Sequence, residues 1–351
     1  MKSKRKLTWV WISMAALFTI GVADMASRSW AAPKQPPPPP AAAKPEEKPS
    51  AAAPAKNGQA EVVVGAFVNQ IHEFSLKDNS FTVDFYLWFR WKDPELKPYE
   101  TWSLVDGRVE DKGEAVVKDL PDGSKHAYLR VVGKVTRFFD VTDYPLDNHA
   151  LTIVIEEENE EIHRVKYVAD TQNSSASATI SLPGWQFARL SSVAESAAYT
   201  SNFGDVSVPT GNSTQYARLT TAVSFTRAGW TYFVKMFFAL WTCVLVAMTA
   251  FFIKPTNTDP RFGLGVGALF GAIASQYTVA GALPETNVVT LADKLHLEAF
   301  LLIILSVMQS TWALALIEAD KAEASHTLDV WSRRLIPLAF LIGVLFLVFT
   351  R

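Results

Sequence analysis

The stretch "FTVDFYLWFRW", residues 81–91, alternates without a break. Phe81, Val83, Phe85, Leu87, Phe89 and Trp91 fall on one side of an extended chain, and Thr82, Asp84, Tyr86, Trp88 and Arg90 on the other. A period of two is the pattern of a strand with one face against a core. Shorter runs of the same kind follow at 127–135, 150–157, 178–182, 185–193 and 216–227, set apart by Gly, Pro, Asp and Asn. Short strands at this spacing, with almost no helical periodicity between them, predict an immunoglobulin-like β-sandwich over residues 61–228.

Upstream the composition changes. Residues 32–60 are rich in Pro and Ala and hold no core-forming run, so they are expected to be an extended spacer. Before them, Lys2, Lys4, Arg5 and Lys6 precede an apolar run and small residues ending near Ala31. That order reads as an export signal over residues 1–31, with a retained anchor as the alternative. Either reading puts the strands outside the cytoplasm.

Downstream of Arg227 the chain turns apolar in four stretches of near-spanning length, about 230–253, 262–282, 295–317 and 331–350. A transmembrane domain over 229–351 follows from this. With the strands exported, Lys254, Arg261, Lys321, Arg333 and Arg334 fall at cytoplasmic ends, in agreement with the positive-inside rule.

Composition narrows the function classes. In 351 residues the formal net charge is −2, and outside the first six residues there is no basic run, which argues against nucleic acid as a partner. The single cysteine, Cys243, lies in an apolar run, so an intrachain disulfide and a cysteine-based metal site are both excluded. No nucleophile motif, metal-ligand spacing or phosphate loop points to an enzyme.

The second apolar stretch, "RFGLGVGALFGAIASQYTVAGALP" (261–284), differs in kind. At helical spacing Gly263, Gly267, Phe270, Ala274 and Tyr277 share one face. Its small residues suit close packing between membrane helices. In a symmetric ring of such helices they would instead line a pore, with Phe270 as a constriction that blocks ions by dewetting. Asp259 and Arg261 flank Pro260 at the expected cytoplasmic mouth. A ring of Asp259 facing the ion path would favour cations.

The order of these parts resembles the pentameric ligand-gated ion channels, the Cys-loop receptor superfamily, and in particular its bacterial members. "FTVDFYLWFRWKDPEL" is similar to the family's second strand with its Trp-x-Asp ending, here Trp91 and Asp93. "DVTDYPLDNHAL" resembles the signature loop, with Tyr144, Pro145, Leu146 and Asp147 as its aromatic, proline, apolar and acidic positions. Arg227 stands where the family has a basic residue before the first span. "ALPETNVVTLADKL" (282–295), with Pro284, resembles the outer end of the pore helix and the linker after it. Arg137 and Leu151 occupy the places of the two cysteines, as in bacterial relatives that lack the disulfide.

The resemblance implies a pentamer in the inner membrane of a bacterium, its β domain in the periplasm, passing permeant ions in response to a small agonist or protons. It also implies a coupling cluster of Asp147, Arg227 and an acidic residue from the first strand connection, for which Asp78 is the candidate. The agonist site implied is aromatic: Tyr86 on one face, and Tyr199, Phe203 and Tyr216 around the capping loop. The matching position after the signature loop is Glu158, within "EEENEE" (156–161). Glu156, Glu157, Glu158, Glu160 and Glu161 are candidates for a modulatory Ca²⁺ or a cationic ligand, with a solvated hairpin tip as the alternative. His72, His126, His149 and His163 are weaker candidates as titrating groups. A non-conducting sensor pentamer of the same fold is the alternative function, because the pore face lacks the hydroxyls common in the family and carries Phe270 and Tyr277.

Overall fold

The structure is a computed structural model and describes residues 58–201, 203–204, 214–227 and 229–351. The expected export signal and nearly all of the spacer lie outside the described residues.

Among the described residues eleven strands come first: β1 (Ala60–Ser75), β2 (Ser80–Trp91), β3 (Trp102–Leu104), β4 (Gly107–Lys112), β5 (Val116–Asp119), β6 (Lys125–Thr136), β7 (Asn148–Glu161), β8 (Val165–Ala169), β9 (Ser175–Ala176), β10 (Trp185–Tyr199) and β11 (Thr214–Arg227). They form two sheets. One has the order β4-β6-β2-β1-β8, with β5 beside β6 and β9 beside β1; the other has the order β10-β11-β7-β3.

The alternation in β2 is realised: all six residues of its apolar face are buried, none more than 2% exposed. Side chains of this size each contribute about 2 kcal/mol when removed from water, so β2 is the spine of its sheet. Its other face is less open than an exposed strand would be. Asp84 is buried under Arg130, whose Nε and Nη2 donate to its two oxygens at 2.9 and 2.7 Å, and Asn69 adds a third bond at 2.8 Å. Trp88 lies flat over Gly65 on β1, where any side chain would strike the indole, and donates from Nε1 to Asp170 at 3.1 Å.

Two sequence expectations need correction. Residues 178–182 form a turn, because the Ser177 hydroxyl accepts from the Thr179 N–H and the Ser177 carbonyl from the Ile180 N–H. The acidic run 156–161 is not a hairpin tip: it is the end of β7, paired with β11 and, at Glu156 and Glu157, with β3. β1, whose apolar residues are interrupted by Gly65 and by its bulges, was not read from the sequence.

Four helices follow: α1 (Gly229–Thr249), extended by a short 3-10 turn Ala250–Phe252, then α2 (Thr258–Ala280), α3 (Leu291–Glu318) and α4 (Ala322–Phe349). All four are long and apolar enough to cross a membrane. The last two begin earlier than hydropathy suggests. Thr290 caps α3 by accepting from the Asp293 N–H at 3.1 Å while Asp293 accepts from the Thr290 N–H at 3.0 Å, a reciprocal capping box. The first turns of α4 contain Ser325, Asp329 and Ser332, polar residues that an apolar window rejects but that are buried against the other helices.

Candidate functional site

The loop between β6 and β7, residues 137–147, is seated on the helices. The Thr142 and Tyr144 carbonyls accept from the N–H groups of Leu291 and Ala292 at 2.8 and 3.1 Å. These are first-turn donors of α3, which have no partner inside their own helix. Tyr144 is 1% exposed, and its hydroxyl lies 3.2 Å from that of Tyr232 on α1. Arg351, just past α4, donates to the Leu146 carbonyl at 2.9 Å. The loop therefore bonds to α3, to α1 and to the residue just past α4, and the Tyr144–Pro145 bond within it is cis.

Below the loop, Arg227 ends β11 and meets Asp147 through two parallel bonds, Nε to Oδ1 at 2.7 Å and Nη2 to Oδ2 at 3.1 Å. Its guanidinium also lies over the rings of Trp185, Tyr232 and Tyr144, at 4.1, 4.7 and 5.0 Å from their centroids. Arginine suits this place because its plane can stack on aromatics while its edge grips a carboxylate. On the far side of Asp147, His149 Nε2 is 2.6 Å from Oδ2. Burial alone would raise the Asp147 carboxyl, but the bonds from His149 and Arg227 outweigh it and hold Asp147 below the ordinary carboxylate range. Burial pushes the Tyr144 hydroxyl up, so it stays a neutral hydrogen-bonding group.

The expected pairing of Asp147 with Arg227 is thus present, and the expected third member is different. Asp78 is on the exposed connection between β1 and β2, where it accepts from the Ser75 hydroxyl at 2.7 Å. Its place beside Asp147 is taken by His149, because residues 147 and 149 lie close together at the start of β7. Trp185 and Tyr232 are not among the residues the sequence singles out, and His149 is there only as a weaker titrating candidate, not as a partner of Asp147. Pro284 lies in the connection 281–290 between α2 and α3.

A second group gathers on the four-stranded sheet. The rings of Tyr199, Phe203 and Tyr216 form a mutual cluster with centroids 5.4 to 6.4 Å apart. Beneath them Arg218 donates to Glu156 Oε2 from Nε and Nη2 at 2.8 and 2.6 Å, and Tyr199 donates to Glu156 Oε1 at 2.7 Å. Burial acts to lower the Arg218 guanidinium, and the Glu156 bonds more than reverse this. Tyr86 is elsewhere, half-buried on β2 in the other sheet, so a single chain does not bring it to the cluster.

The acidic run does not converge. Glu156 is held by Arg218. Glu157 is 1% exposed and accepts from the Thr101 and Tyr167 hydroxyls at 2.9 and 3.3 Å. Burial raises the Glu157 carboxyl despite those bonds. Glu158 is exposed, Glu160 is half-buried, and Glu161 is 3.5 Å from His163. Among the described residues no three His, Cys, Asp or Glu side chains are grouped to hold a metal ion.

The face of α2 singled out by its spacing is the one left open. Asp259, Gly263, Gly267, Phe270, Ala274 and Tyr277 are all exposed, Phe270 at 68% and Tyr277 at 75%. The opposite face, with Gly265, Ala268, Ala272, Ser275 and Val279, is buried among the helices. Gly265 and Gly271 sit where a Cβ would strike Val307 and Cys243, which is the close-packing role of small residues. The helix thus divides its small residues between a packed face and an exposed one. Arg261 belongs to the closed face: it is 1% exposed and donates to Asp329 at 2.6 and 3.1 Å, to Gln309 at 3.2 Å and to the Ile253 carbonyl at 2.7 Å. Neither Asp329 nor Gln309 was anticipated.

No known family model matches the chain.

Proposed function

We infer that this chain is a subunit of a pentameric ligand-gated ion channel. Its strands form a periplasmic immunoglobulin-like sandwich, and its helices form a four-helix bundle in the bacterial inner membrane. The observation that carries this reading is the open stripe on α2. A glycine-rich helix that buries one face against its neighbours and leaves Gly263, Gly267, Phe270, Ala274 and Tyr277 bare is shaped to face copies of itself across an axis.

The loop at Tyr144 and Pro145 is the coupling element. It spans from β7 to the start of α3, and Arg227 clamps Asp147 where the last strand passes into α1. The cluster of Tyr199, Phe203 and Tyr216 is the agonist face, completed by Tyr86 of a neighbouring subunit. Its electron-rich rings favour a small cationic ligand. Because Arg261 is turned into the helices and Asp259 is exposed, the charge presented at the mouth is negative, and the pore selects cations.

Recordings from purified protein in planar bilayers with asymmetric salt test this reading. Ligand-evoked currents should reverse near the cation equilibrium potential, and Asp259→Asn should move the reversal toward zero. The bulk of Phe270 and Tyr277 on the open face favours a second reading, a sensor pentamer that does not conduct. Silence under every ligand and pH tried, with intact pentamers, is the result that selects it.

A further inference from the structure

Glu298 is unlike every other buried carboxylate among the described residues. Asp84, Asp147, Glu156, Glu157 and Asp329 each accept at least one hydrogen bond from a side chain. Glu298 is 2% exposed, and neither of its oxygens has a partner. It lies on α3 against Gly343 of α4, so close that a Cβ on Gly343 would overlap Oε1 and come within 2.6 Å of the carboxyl carbon. The glycine makes room for the carboxyl group.

No charge stands opposite it. On α4 the run between Arg334 and Arg351 has no titratable side chain. On α2 the titratable groups are Asp259 and Tyr277, both exposed, and Arg261, which is committed to Asp329. On α1 they are Tyr232 at the loop, exposed Lys235 and Cys243 beside Gly271. On α3 itself Lys294 is one turn away without forming an ion pair to Glu298, and Asp293 is used in the helix cap. The His296 ring is turned to Ser275 and to the Ala292 carbonyl, at 3.2 and 2.8 Å.

A negative charge enclosed between helices without a donor is strongly disfavoured, whereas a neutral carboxyl group can be packed there. We propose that Glu298 is a proton-binding site that latches α4 to α3: the neutral carboxyl packs on Gly343, and loss of its proton to water parts the two helices. The latch has a route to the coupling loop. Glu298 is seven residues into α3, roughly 10 Å from its start at 1.5 Å per residue, on the side where Arg351 donates to the Leu146 carbonyl. Parting α4 from α3 withdraws that bond. The latch does not depend on α2 lining a pore.

The test uses the full-length protein in lipid nanodiscs and reads no current. Infrared difference spectra across pH should contain the C=O band of a protonated carboxyl group that disappears at alkaline pH. The band should be missing from Glu298→Gln and displaced in Glu298→Asp. Hydrogen exchange in residues 336–349 should accelerate as the band is lost. In Glu298→Gln it should stay slow throughout, and in Gly343→Ala it should be fast at every pH. An unchanged band in both Glu298 variants overturns the proposal. So does a wild-type protein with no such band, or an α4 whose exchange follows pH equally in Glu298→Gln. Should the glutamine variant fail to assemble, the aspartate variant and the wild-type band decide.

Discussion

Two arginines each grip a carboxylate, and they do different work. Arg261 is sealed among α2, α3 and α4, with Asp329, Gln309 and the Ile253 carbonyl taking its donors. Arg227 stands where the strands meet the helices. It shares Asp147 with His149 and rests on three aromatic rings. The first pair holds helices to one another within a single layer, whereas the second joins two parts of the molecule that are built differently. A lock of the first kind has only one good arrangement. Under the proposed function, the joint at Arg227 is where movement of the strands would reach the helices.

The comparison breaks most visibly at Arg261. Arg261→Ala leaves Asp329 ionised and enclosed, a loss of about 3–5 kcal/mol. Folded protein should be nearly absent by size-exclusion chromatography, and Arg261→Met combined with Asp329→Leu should restore it. A stable Arg261→Ala protein would mean that the pair is hydrated and not a lock.

At the joint the cost is smaller. Arg227→Ala leaves Asp147 with His149 as a partner, and a loss of about 2 kcal/mol is expected from thermal unfolding, in the range for a hydrogen bond to a charged group. Arg227→Lys keeps the charge and loses the paired bonds and the ring stacking, so it should fold with near-native stability but respond weakly to ligand. If Arg227→Lys gated as the wild type does, the aromatic seat would have no part in coupling.

A third carboxylate sharpens the contrast because no arginine serves it. The Glu157 carboxyl is raised above its usual 4.5 by burial. The stability tied to this group is therefore complete below the unfolded value and is lost as pH rises through the folded one. Asp147 has the opposite sign: its contribution is present above the usual 3.8 and is lost as pH falls through the lowered folded value. Glu157→Gln should flatten the loss that sets in as pH rises above 4.5 and leave the acid limb unchanged, a modest effect read from unfolding midpoints across pH. Identical profiles for the two proteins would show that Glu157 is not isolated from water.

How much of this was legible in the sequence follows from the range of each interaction. The face of β2 and the stripe of α2 are periodic, so a period of two and a period near 3.6 placed their residues correctly. The link between Asp147 and Arg227 spans 80 residues and was visible only through resemblance of the loop to a known family. Asp78 is not the third partner: His149, two residues along the chain at the start of β7, takes that place, and a family pattern that fixes only the acidic position does not name it. Asp329 was hidden for another reason. It lies in polar early turns of α4, before Trp331, where apolar windows begin, and its partner is 68 residues away. Glu298 is the one acid inside the expected span 295–317, a visible signal in a membrane helix, but that its oxygens have no partner follows only from the packing of α3 on α4.

The central claim is that the open stripe of α2 faces an ion path, and two phenylalanines of matched exposure test it. Phe270 on α2 is 68% exposed and Phe238 on α1 is 67% exposed. In single-channel recordings from purified protein, Phe270→Ala should raise ligand-evoked or resting current severalfold, because a hydrophobic constriction is removed. Phe238→Ala, on α1 and off the stripe, should leave it unchanged. Equal responses from the two variants, or no change at Phe270, would contradict the account.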